Sequence, residues 1–328
     1  MPCSASRSSH RPWGAIGGRA VLWFAVLWFL AMVGAASGQA VELRQETLLS
    51  DAVGRKVAVH ILLPEDYARN GARHPVLYLL HGFGGDHHSW LDDGAADHAS
   101  RHDLIVVMPD VGNSWYVDGS HPDHPNERWE SFMIDELIPW IDGALATVPR
   151  REARAIAGRS MGGFGALVLG LRNSELFVSV GSSSGYLGRA REARQALERG
   201  LAARPRRLGD PVPQGGGGVS GGPFTSAQEA GDHDPFALVA ALPVDSLPHV
   251  YLDCGTDDPL LRFSREMALV LLERNARFDF GQAPGGHDGT YWNHALGHLM
   301  AIQAEVMRRA LLETAETLQS PGASAGLP

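Results

Sequence analysis

Short apolar runs alternate with longer stretches of helical spacing along most of the chain. The apolar runs are nearly continuous, which is typical of strands buried on both faces of a parallel sheet. They predict strands at 76–80, 104–108, 154–158, 249–254 and 277–282. Apolar residues at helical spacing predict intervening helices at 127–146, 161–172, 260–275 and 291–317. Because strands and helices alternate, we expect an α/β fold with a doubly wound, mostly parallel sheet and helices on both faces.

Two segments depart from this pattern. Residues 42–50 and 56–63 alternate apolar and polar positions around a turn at 51–54, which predicts an antiparallel pair at one edge of the sheet. Residues 187–232 predict a flexible insertion, in which an Arg- and Ala-rich helix precedes a stretch with four consecutive glycines. This insertion is either a tolerated surface loop or a lid over a binding site.

An uncharged run of 22 residues occupies 20–41. Three arginines and no acid precede it, and small residues follow its most apolar part. This layout predicts a secretory signal peptide over 1–40 and export to the periplasm or the exterior. The alternative is a membrane anchor that retains 20–41 in the bilayer. We expect one folded domain over 41–318 and a disordered tail at 319–328.

Charge and cysteine content narrow the range of partners. The chain carries 37 acidic and 28 basic residues, a net charge of −9, and it has no basic run. We therefore expect no nucleic-acid partner, because phosphate binding needs clustered Lys and Arg. One of the two cysteines, Cys3, lies in the predicted signal peptide, so the exported protein would contain only Cys254 and no internal disulfide.

The segment 158–163, Gly-Arg-Ser-Met-Gly-Gly, carries the main chemical signal. It follows the predicted strand 154–158 and opens the predicted helix 161–172. A sharp strand-to-helix turn holds the central serine at its tip, and the flanking glycines are needed because a Cβ would clash there. We expect Ser160 to be a nucleophile at the positive end of the helix dipole.

A serine nucleophile needs a base, which is in turn oriented by an acid. In this architecture the chain order is serine, acid, histidine, with both partners in loops that follow later strands. His287, which follows two glycines, is the predicted base, whereas His294 and His298 fall on the next predicted helix. Two carboxylates compete as the acid: Asp258, next to a proline that starts a helix, is preferred over Asp257.

Two backbone N–H groups are also needed, to hold the oxyanion that forms when a serine attacks a carbonyl carbon. One belongs to the residue after the nucleophile, Met161. The other is predicted in the loop 80–85, Leu-His-Gly-Phe-Gly-Gly, which follows the strand at 76–80. Phe83 is the expected donor, because the glycines around it free its amide.

These motifs together resemble the esterase branch of the α/β-hydrolases. That branch includes esterase D (S-formylglutathione hydrolase), feruloyl and acetyl-xylan esterases, and the secreted mycolyltransferases. The resemblance extends over about 43–307 and includes Leu-Asp-Cys-Gly-Thr-Asp-Asp-Pro at 252–259 and Gly-Gly-His-Asp-Gly-Thr-Tyr-Trp at 285–292. The glycine-rich stretch at 209–226 has no counterpart in the branch.

The resemblance implies an α/β-hydrolase fold with Ser160, Asp258 and His287 as a catalytic triad and with Phe83 and Met161 as oxyanion amides. We therefore expect an exported serine carboxylic-ester hydrolase that forms an acyl-enzyme from a small-molecule, carbohydrate or lipid ester. One alternative is an acyltransferase that passes the acyl group to a sugar or lipid alcohol, although the mycolyltransferases use glutamate where this chain has aspartate. The other is a non-catalytic binding protein of the same fold.

Histidines are numerous, 15 in all, which raises the question of a metal site. His81, His87 and His88 lie close together in the sequence, as do His121 and His124. No H-E-x-x-H or Cys/His metal-binding pattern accompanies them. We therefore expect these histidines in solvated loops, and we expect no metal and no other cofactor.

Four aromatic residues fall in or beside the predicted active-site loops: Trp90, Trp115, Tyr116 and Trp292. Aromatic side chains line apolar ligand pockets, and they also fill protein cores. The sequence leaves both interpretations open for each of the four. If they line a pocket, it would accept an acyl or aromatic group.

Overall fold

The computed structural model describes residues 41–65, 67, 71–119, 126–200 and 224–319, without the side chains of 318 and 319. The predicted signal peptide or anchor lies outside the described residues, as do the glycine-rich part of the predicted insertion and the tail from 320. The described residues belong to one compact unit, Ala40–Pro328. Within them, no helix combines the length and the apolar character needed to cross a membrane.

Eight strands form one sheet within the described ranges, in the spatial order β1-β2-β4-β3-β5-β6-β7-β8. They are β1 (Glu42–Ser50), β2 (Arg55–Leu63), β3 (Val76–Leu80), β4 (Ile105–Pro109), β5 (Arg154–Arg159), β6 (Ser179–Ser183), β7 (His249–Gly255) and β8 (Phe278–Ala283). The pairs β1/β2 and β2/β4 are antiparallel, and the other neighbouring pairs are parallel. The predicted parallel sheet and antiparallel edge pair are both confirmed.

Helices pack on both faces of this sheet. They are α1 (Ser89–Asp92), α2 (Ala95–Ala99), α3 (Trp129–Ser131), α4 (Ile138–Ala144), α5 (Met161–Arg172), α6 (Arg189–Glu198), α7 (Ala227–Asp232), α8 (Pro235–Ala241), α9 (Leu261–Glu273) and α10 (Gly289–Gln319). A π-helical turn, Phe132–Leu137, joins α3 to α4, and 3-10 turns lie at Arg151–Ala153 and Val244–Ser246. Helix α10 extends through Gln319, and the rest of the predicted tail lies outside the described residues.

Strand β3 shows how the sheet is stabilised from both sides. Val76, Tyr78 and Leu80 face the apolar cluster that contains α5 and α9. Leu77 and Leu79 face the second cluster, which contains α1, α2 and α10. All five side chains are at most 1% exposed. Burial of an apolar side chain of this size stabilises the fold by about 1.5–3 kcal/mol, which accounts for the unbroken apolar run.

The central strand β6 was not predicted. It reads Ser-Val-Gly-Ser-Ser and is buried between β5 and β7. A Cβ on Gly163 of helix α5 would lie 2.7 Å from Ser182 Oγ, and a Cβ on Gly181 would lie 2.8 Å from Ala157 Cβ. Only small residues fit so close to a helix and a neighbouring strand. The strand therefore lacks the apolar run by which the others are recognised.

Candidate active site

The predicted site residues all follow parallel strands of the sheet. The loops after β3, β5, β7 and β8 begin at one edge, because the carboxyl ends of parallel strands meet there. Ser160 follows β5, Asp258 follows β7 and His287 follows β8. The topology thus brings together side chains that are up to 127 positions apart in the chain.

Ser160 occupies a sharp turn between β5 and α5. Its backbone has φ 52° and ψ −114°, a conformation that L-residues rarely adopt. The turn is so tight that a Cβ on Gly158 would lie 2.5 Å from the Gly162 carbonyl carbon. The Ser160 N–H donates to the Ser183 carbonyl at 3.0 Å, and the Ser160 carbonyl accepts the Phe164 N–H at 3.1 Å. These hydrogen bonds hold the strained residue in place.

The His287 imidazole connects this serine to a carboxylate. Its Nε2 lies 2.8 Å from Ser160 Oγ, and its Nδ1 lies 2.8 Å from Asp258 Oδ2. Gly285 in the same loop has φ 145°, and a Cβ there would lie 2.8 Å from the Tyr291 ring. The His287 side chain is 30% exposed, so that water and substrate can reach it.

The Asp258 carboxylate is fully buried. Its Oδ1 accepts the Leu260 N–H at 2.8 Å, and the Ser184 hydroxyl donates to it as well. Burial raises the pKa of Asp258, but the hydrogen bonds from His287 and Leu260 outweigh burial and bring the pKa below its ordinary value. The ionised carboxylate favours the imidazole tautomer with its proton on Nδ1, which leaves Nε2 free to accept the Ser160 proton.

The alternative candidates for the acid and for the base are exposed side chains. Asp257 is exposed, and its N–H donates to the Gly285 carbonyl at 2.9 Å. His294 and His298 are exposed on α10. The geometry therefore brings Asp258, and not Asp257, to the imidazole nearest the serine.

The loop after β3 runs beside the serine. A Cβ built on Gly82 would lie 3.4 Å from Ser160 Cβ, so that the backbone leading to Phe83 passes the nucleophile. The N–H groups of Phe83 and Met161 have no acceptor among the described residues. Both predicted oxyanion donors are thus free to bind a substrate oxygen.

The Esterase family model, described as "Putative esterase", matches residues 50–301. The chain belongs to this esterase family. An esterase of Mycobacterium tuberculosis is 32% identical over 253 residues, which cover 73% of this chain and 54% of that protein. An acetyl esterase of Caldicellulosiruptor saccharolyticus is 28% identical over 239 residues, which cover 70% of this chain and 83% of that protein. The chain thus spans only about half the length of the first of these relatives.

A solved structure of a ferulic acid esterase superposes on the chain with a TM-score of 0.63. The two sequences are 26% identical, and the superposed region covers 82% of this chain and 98% of the ferulic acid esterase chain. The eight-stranded, mostly parallel sheet with helices on both faces is the α/β-hydrolase fold of such enzymes. The predicted fold is therefore confirmed, and so is the predicted membership of the esterase family.

His81 supports the loop 80–85, the predicted oxyanion loop, from the interior. Its Nδ1 lies 2.8 Å from the Gly82 carbonyl oxygen, and its Nε2 accepts the Val111 N–H at 3.2 Å. Burial lowers the pKa of His81, which favours the neutral ring that these two hydrogen bonds require. The prediction that His81 lies in a solvated loop is wrong, because the side chain is only 1% exposed.

Two of the four predicted pocket aromatics border the candidate site. The Trp292 ring packs edge-on against His287, with centroids 5.0 Å apart. The Trp115 ring lies 6.2 Å from that of Phe83, which is 45% exposed. Trp292 thus adjoins His287, and Trp115, which is 8% exposed, adjoins Phe83.

The other two aromatics act as buried supports. Trp90 Nε1 donates to the Leu80 carbonyl and the Tyr116 hydroxyl donates to the His81 carbonyl, each at 2.9 Å. Both acceptors belong to the segment that leads into the oxyanion loop. Trp115 and Tyr116 have φ 60° and 63°, and left-handed backbone of this kind at bulky residues is concentrated at functional sites.

Arg159 is a site residue that sequence reasoning missed. Its guanidinium lies 4.8 Å from the Trp90 ring and 4.5 Å from the Trp292 ring, and it forms an ion pair with Asp93. Burial lowers the pKa of Arg159 to about 10, so that it stays charged at neutral pH. Since Trp292 packs against His287, Arg159 braces the ring that borders the base. Its place next to Ser160 in the motif was the only signal.

Proposed function

We propose that this protein hydrolyses carboxylic esters through an acyl-enzyme on Ser160. The observation that carries the proposal is the hydrogen-bonded chain from Ser160 through His287 to the buried Asp258, built on a strained turn. An isolated serine hydroxyl is a weak nucleophile, and this arrangement supplies the base and the orienting acid that it lacks.

In the acylation step, His287 Nε2 takes the proton as Ser160 Oγ attacks the ester carbonyl carbon. The carbonyl oxygen becomes an oxyanion, to which the N–H groups of Phe83 and Met161 donate. The tetrahedral intermediate collapses with cleavage of the bond to the alcohol oxygen. His287 gives its proton to that oxygen, the alcohol leaves, and the acyl group stays on Ser160.

Deacylation repeats these steps with water. The partly exposed His287 takes a proton from a water molecule, whose oxygen attacks the acyl carbon, and the same two amides hold the second oxyanion. Collapse breaks the bond to Ser160 Oγ, which recovers its proton from His287 as the carboxylic acid leaves. Asp258 remains ionised throughout and stabilises the imidazolium.

We propose acetyl and feruloyl esters as the substrate class. An acetyl esterase and a ferulic acid esterase are among the proteins to which the chain is similar. The exposed ring of Phe83, which packs on the buried Trp115, and the ring of Trp292 offer apolar surface beside the oxyanion loop and the base. Such a surface suits an aromatic acyl group, and it can also receive a short alkyl one.

We further propose that the enzyme is exported, on the strength of the uncharged run at 20–41 and the arginines before it. Mass spectrometry of fractionated cells that express the full chain tests this. A protein that starts near residues 37–41 in the periplasm or medium supports cleavage, and an intact chain in the membrane fraction supports an anchor. An intact chain in the cytosol contradicts export.

Hydrolysis is tested with p-nitrophenyl esters of graded acyl length together with feruloyl and acetyl-sugar esters. We expect turnover by the wild type and a loss in kcat of roughly 10⁶-fold in Ser160→Ala. The exposed Ser246 provides a matched control, since Ser246→Ala should keep full activity. A fluorophosphonate probe should label the wild type and the control variant, but not Ser160→Ala.

Two outcomes would overturn this proposal. A folded protein that neither turns over any ester nor takes up the probe would be a binding protein with an inactive triad. A protein that transfers its acyl group to added sugar or lipid alcohols faster than to water would be an acyltransferase.

A further inference from the structure

Three histidines from two separate parts of the chain meet behind the oxyanion loop. His60 lies on β2, and His87 and His88 lie just before α1. The ring centroids are 4.3–4.4 Å apart in all three pairs. Each residue offers one ring nitrogen, and the three nitrogens lie within 4.8 Å of one another. Imidazole nitrogens are the commonest protein ligands of transition metals.

His60 has the surroundings of a metal ligand. Its side chain is 1% exposed, and the rings of His87 and His88 each pack edge-on against it. The ring nitrogen Nδ1 is buried and has no hydrogen-bond partner among the described residues. An unpaired buried polar atom costs about 1–3 kcal/mol, and native structures contain few of them. A metal ion at this nitrogen would supply the partner that the protein does not.

The neighbouring groups complete the donor set and its charge balance. His87 Nδ1 is also buried and lacks a hydrogen bond, although Asp110 Oδ2 lies 3.5 Å away. The Asp86 carboxylate accepts the His88 N–H at 2.8 Å, which places a second negative charge beside the cluster. His88 is exposed, so that an ion can enter from solvent.

We propose that His60, His87 and His88 bind one divalent transition-metal ion of the zinc type. Three imidazoles leave a fourth tetrahedral position for a water molecule or for the carboxylate of Asp110. Bonds of about 2.0–2.1 Å from zinc to nitrogen place tetrahedral ligand nitrogens ~3.3 Å apart. The three nitrogens therefore move at most about 1.5 Å closer together on binding, chiefly through the exposed His88.

The site is connected to the oxyanion loop. Asp110 Oδ2 lies 3.5 Å from His87 Nδ1, and the next residue, Val111, donates its N–H to His81 Nε2, whose ring partner Nδ1 lies 2.8 Å from the Gly82 carbonyl oxygen. An ion that fixes His87 also fixes the segment that ends in Phe83. This consequence rests on the proposed function, whereas the metal site itself does not.

Isothermal titration of the untagged, chelator-treated enzyme with Zn²⁺ tests the site. We expect one ion per chain and at least tenfold weaker Zn²⁺ binding in His88→Ala. Removal of a group that only orients a ligand already lowers metal affinity by a factor of about 10–100, and removal of the ligand itself should lower it at least as much. His88 is exposed, so that this variant should fold. The matched control is His294→Ala, another exposed histidine, which should bind as the wild type does.

Two further variants locate the ion. His60→Gln, checked for folding by its thermal unfolding, should also lose at least a factor of ten in Zn²⁺ affinity. His287→Ala should retain the affinity, which separates this site from binding at the triad. Co²⁺ in place of Zn²⁺ should give the absorption bands of a tetrahedral complex, and these should vanish in His88→Ala.

The proposal is overturned if the wild type binds no stoichiometric Zn²⁺, since the cluster is then only a stack of neutral rings. It is also overturned if His88→Ala and His60→Gln bind as tightly as the wild type, or if His287→Ala alone abolishes binding. Each of these results leaves the hydrolysis proposal intact, because that proposal depends on Ser160 and its labelling.

Discussion

Replacing Asp258 by asparagine removes the charge at the buried end of the hydrogen-bonded chain and keeps the size of the side chain. In the wild type, Asp258 Oδ1 accepts the Leu260 N–H and Oδ2 accepts from His287 Nδ1, each at 2.8 Å. The Leu260 N–H requires an acceptor, so that the asparagine must turn its oxygen towards it. The asparagine NH₂ group then faces His287 Nδ1.

This arrangement gives His287 the wrong tautomer. Opposite an NH₂ donor, Nδ1 has to act as an acceptor, and the ring proton moves to Nε2. The nitrogen that lies 2.8 Å from Ser160 Oγ can then no longer take the serine proton. The same substitution in a serine protease triad lowers kcat by about 10⁴-fold, or roughly 5 kcal/mol in activation free energy. We expect a loss of that size in kcat, with KM little changed.

Initial rates of p-nitrophenyl acetate hydrolysis at neutral pH measure this effect. Asp257→Asn is the matched control, because Asp257 is the adjacent carboxylate and is exposed. It should retain kcat to within about twofold, as expected for a surface substitution. The proposed role of Asp258 is contradicted if Asp258→Asn keeps more than about a tenth of the wild-type kcat, or if Asp257→Asn loses as much kcat as Asp258→Asn.

Three further predictions concern stability and reactivity. Because the pKa of Asp258 in the folded state lies below its ordinary value, the stability that it contributes is present above about pH 4 and is lost as the pH falls further. Urea titrations should therefore give a larger difference in unfolding free energy between wild type and Asp258→Asn at about pH 5 than at about pH 3. A difference that is as large at about pH 3 contradicts this. Burial raises the pKa of the Cys254 thiol to about 12, so that a thiol reagent should label Cys254 only after unfolding. The Cys3→Ser variant contains no other cysteine, and labelling of this variant while it is folded would contradict the prediction. Gly162→Ala should lower the unfolding free energy by about 1–3 kcal/mol or more, since its Cβ would overlap backbone atoms. Gly143→Ala is the control: its Cβ would meet open space, so that the unfolding free energy should change by less than about 1 kcal/mol. Equal effects of the two substitutions in denaturant titrations would refute the steric argument.

Features whose placement follows from chain order could be predicted from the sequence. Ser160 stands between a buried strand and an apolar helix, and His287 follows two glycines after the last strand. In a parallel sheet, these positions alone bring the side chains to one edge. The antiparallel edge pair was equally accessible, because the period of apolar positions changes at 42–63.

Features that depend on contacts between distant elements could not be predicted in this way. Strand β6 has small residues at four of its five positions, because α5 and β5 pack closely on it, and so it shows no apolar run. Arg159 reads as an arbitrary residue inside the motif until Trp90 and Trp292 enclose it. Neither partner is near Arg159 in the sequence, and no local pattern records the contact.

The histidine cluster lies between these two cases. His87 and His88 read as loop residues, because their partner His60 is 27 positions earlier and no metal-binding motif has that spacing. The alternation within β2 nevertheless places His60 on the same face as Leu62, which belongs to the apolar cluster of α1 and α2. A histidine at an inward position of a strand has to find a polar partner or a ligand, because an unpaired buried nitrogen is costly. The inward position of His60 was therefore the one feature of the sequence that indicated the cluster. The two other histidines, His87 and His88, belong to the same loop as Phe83.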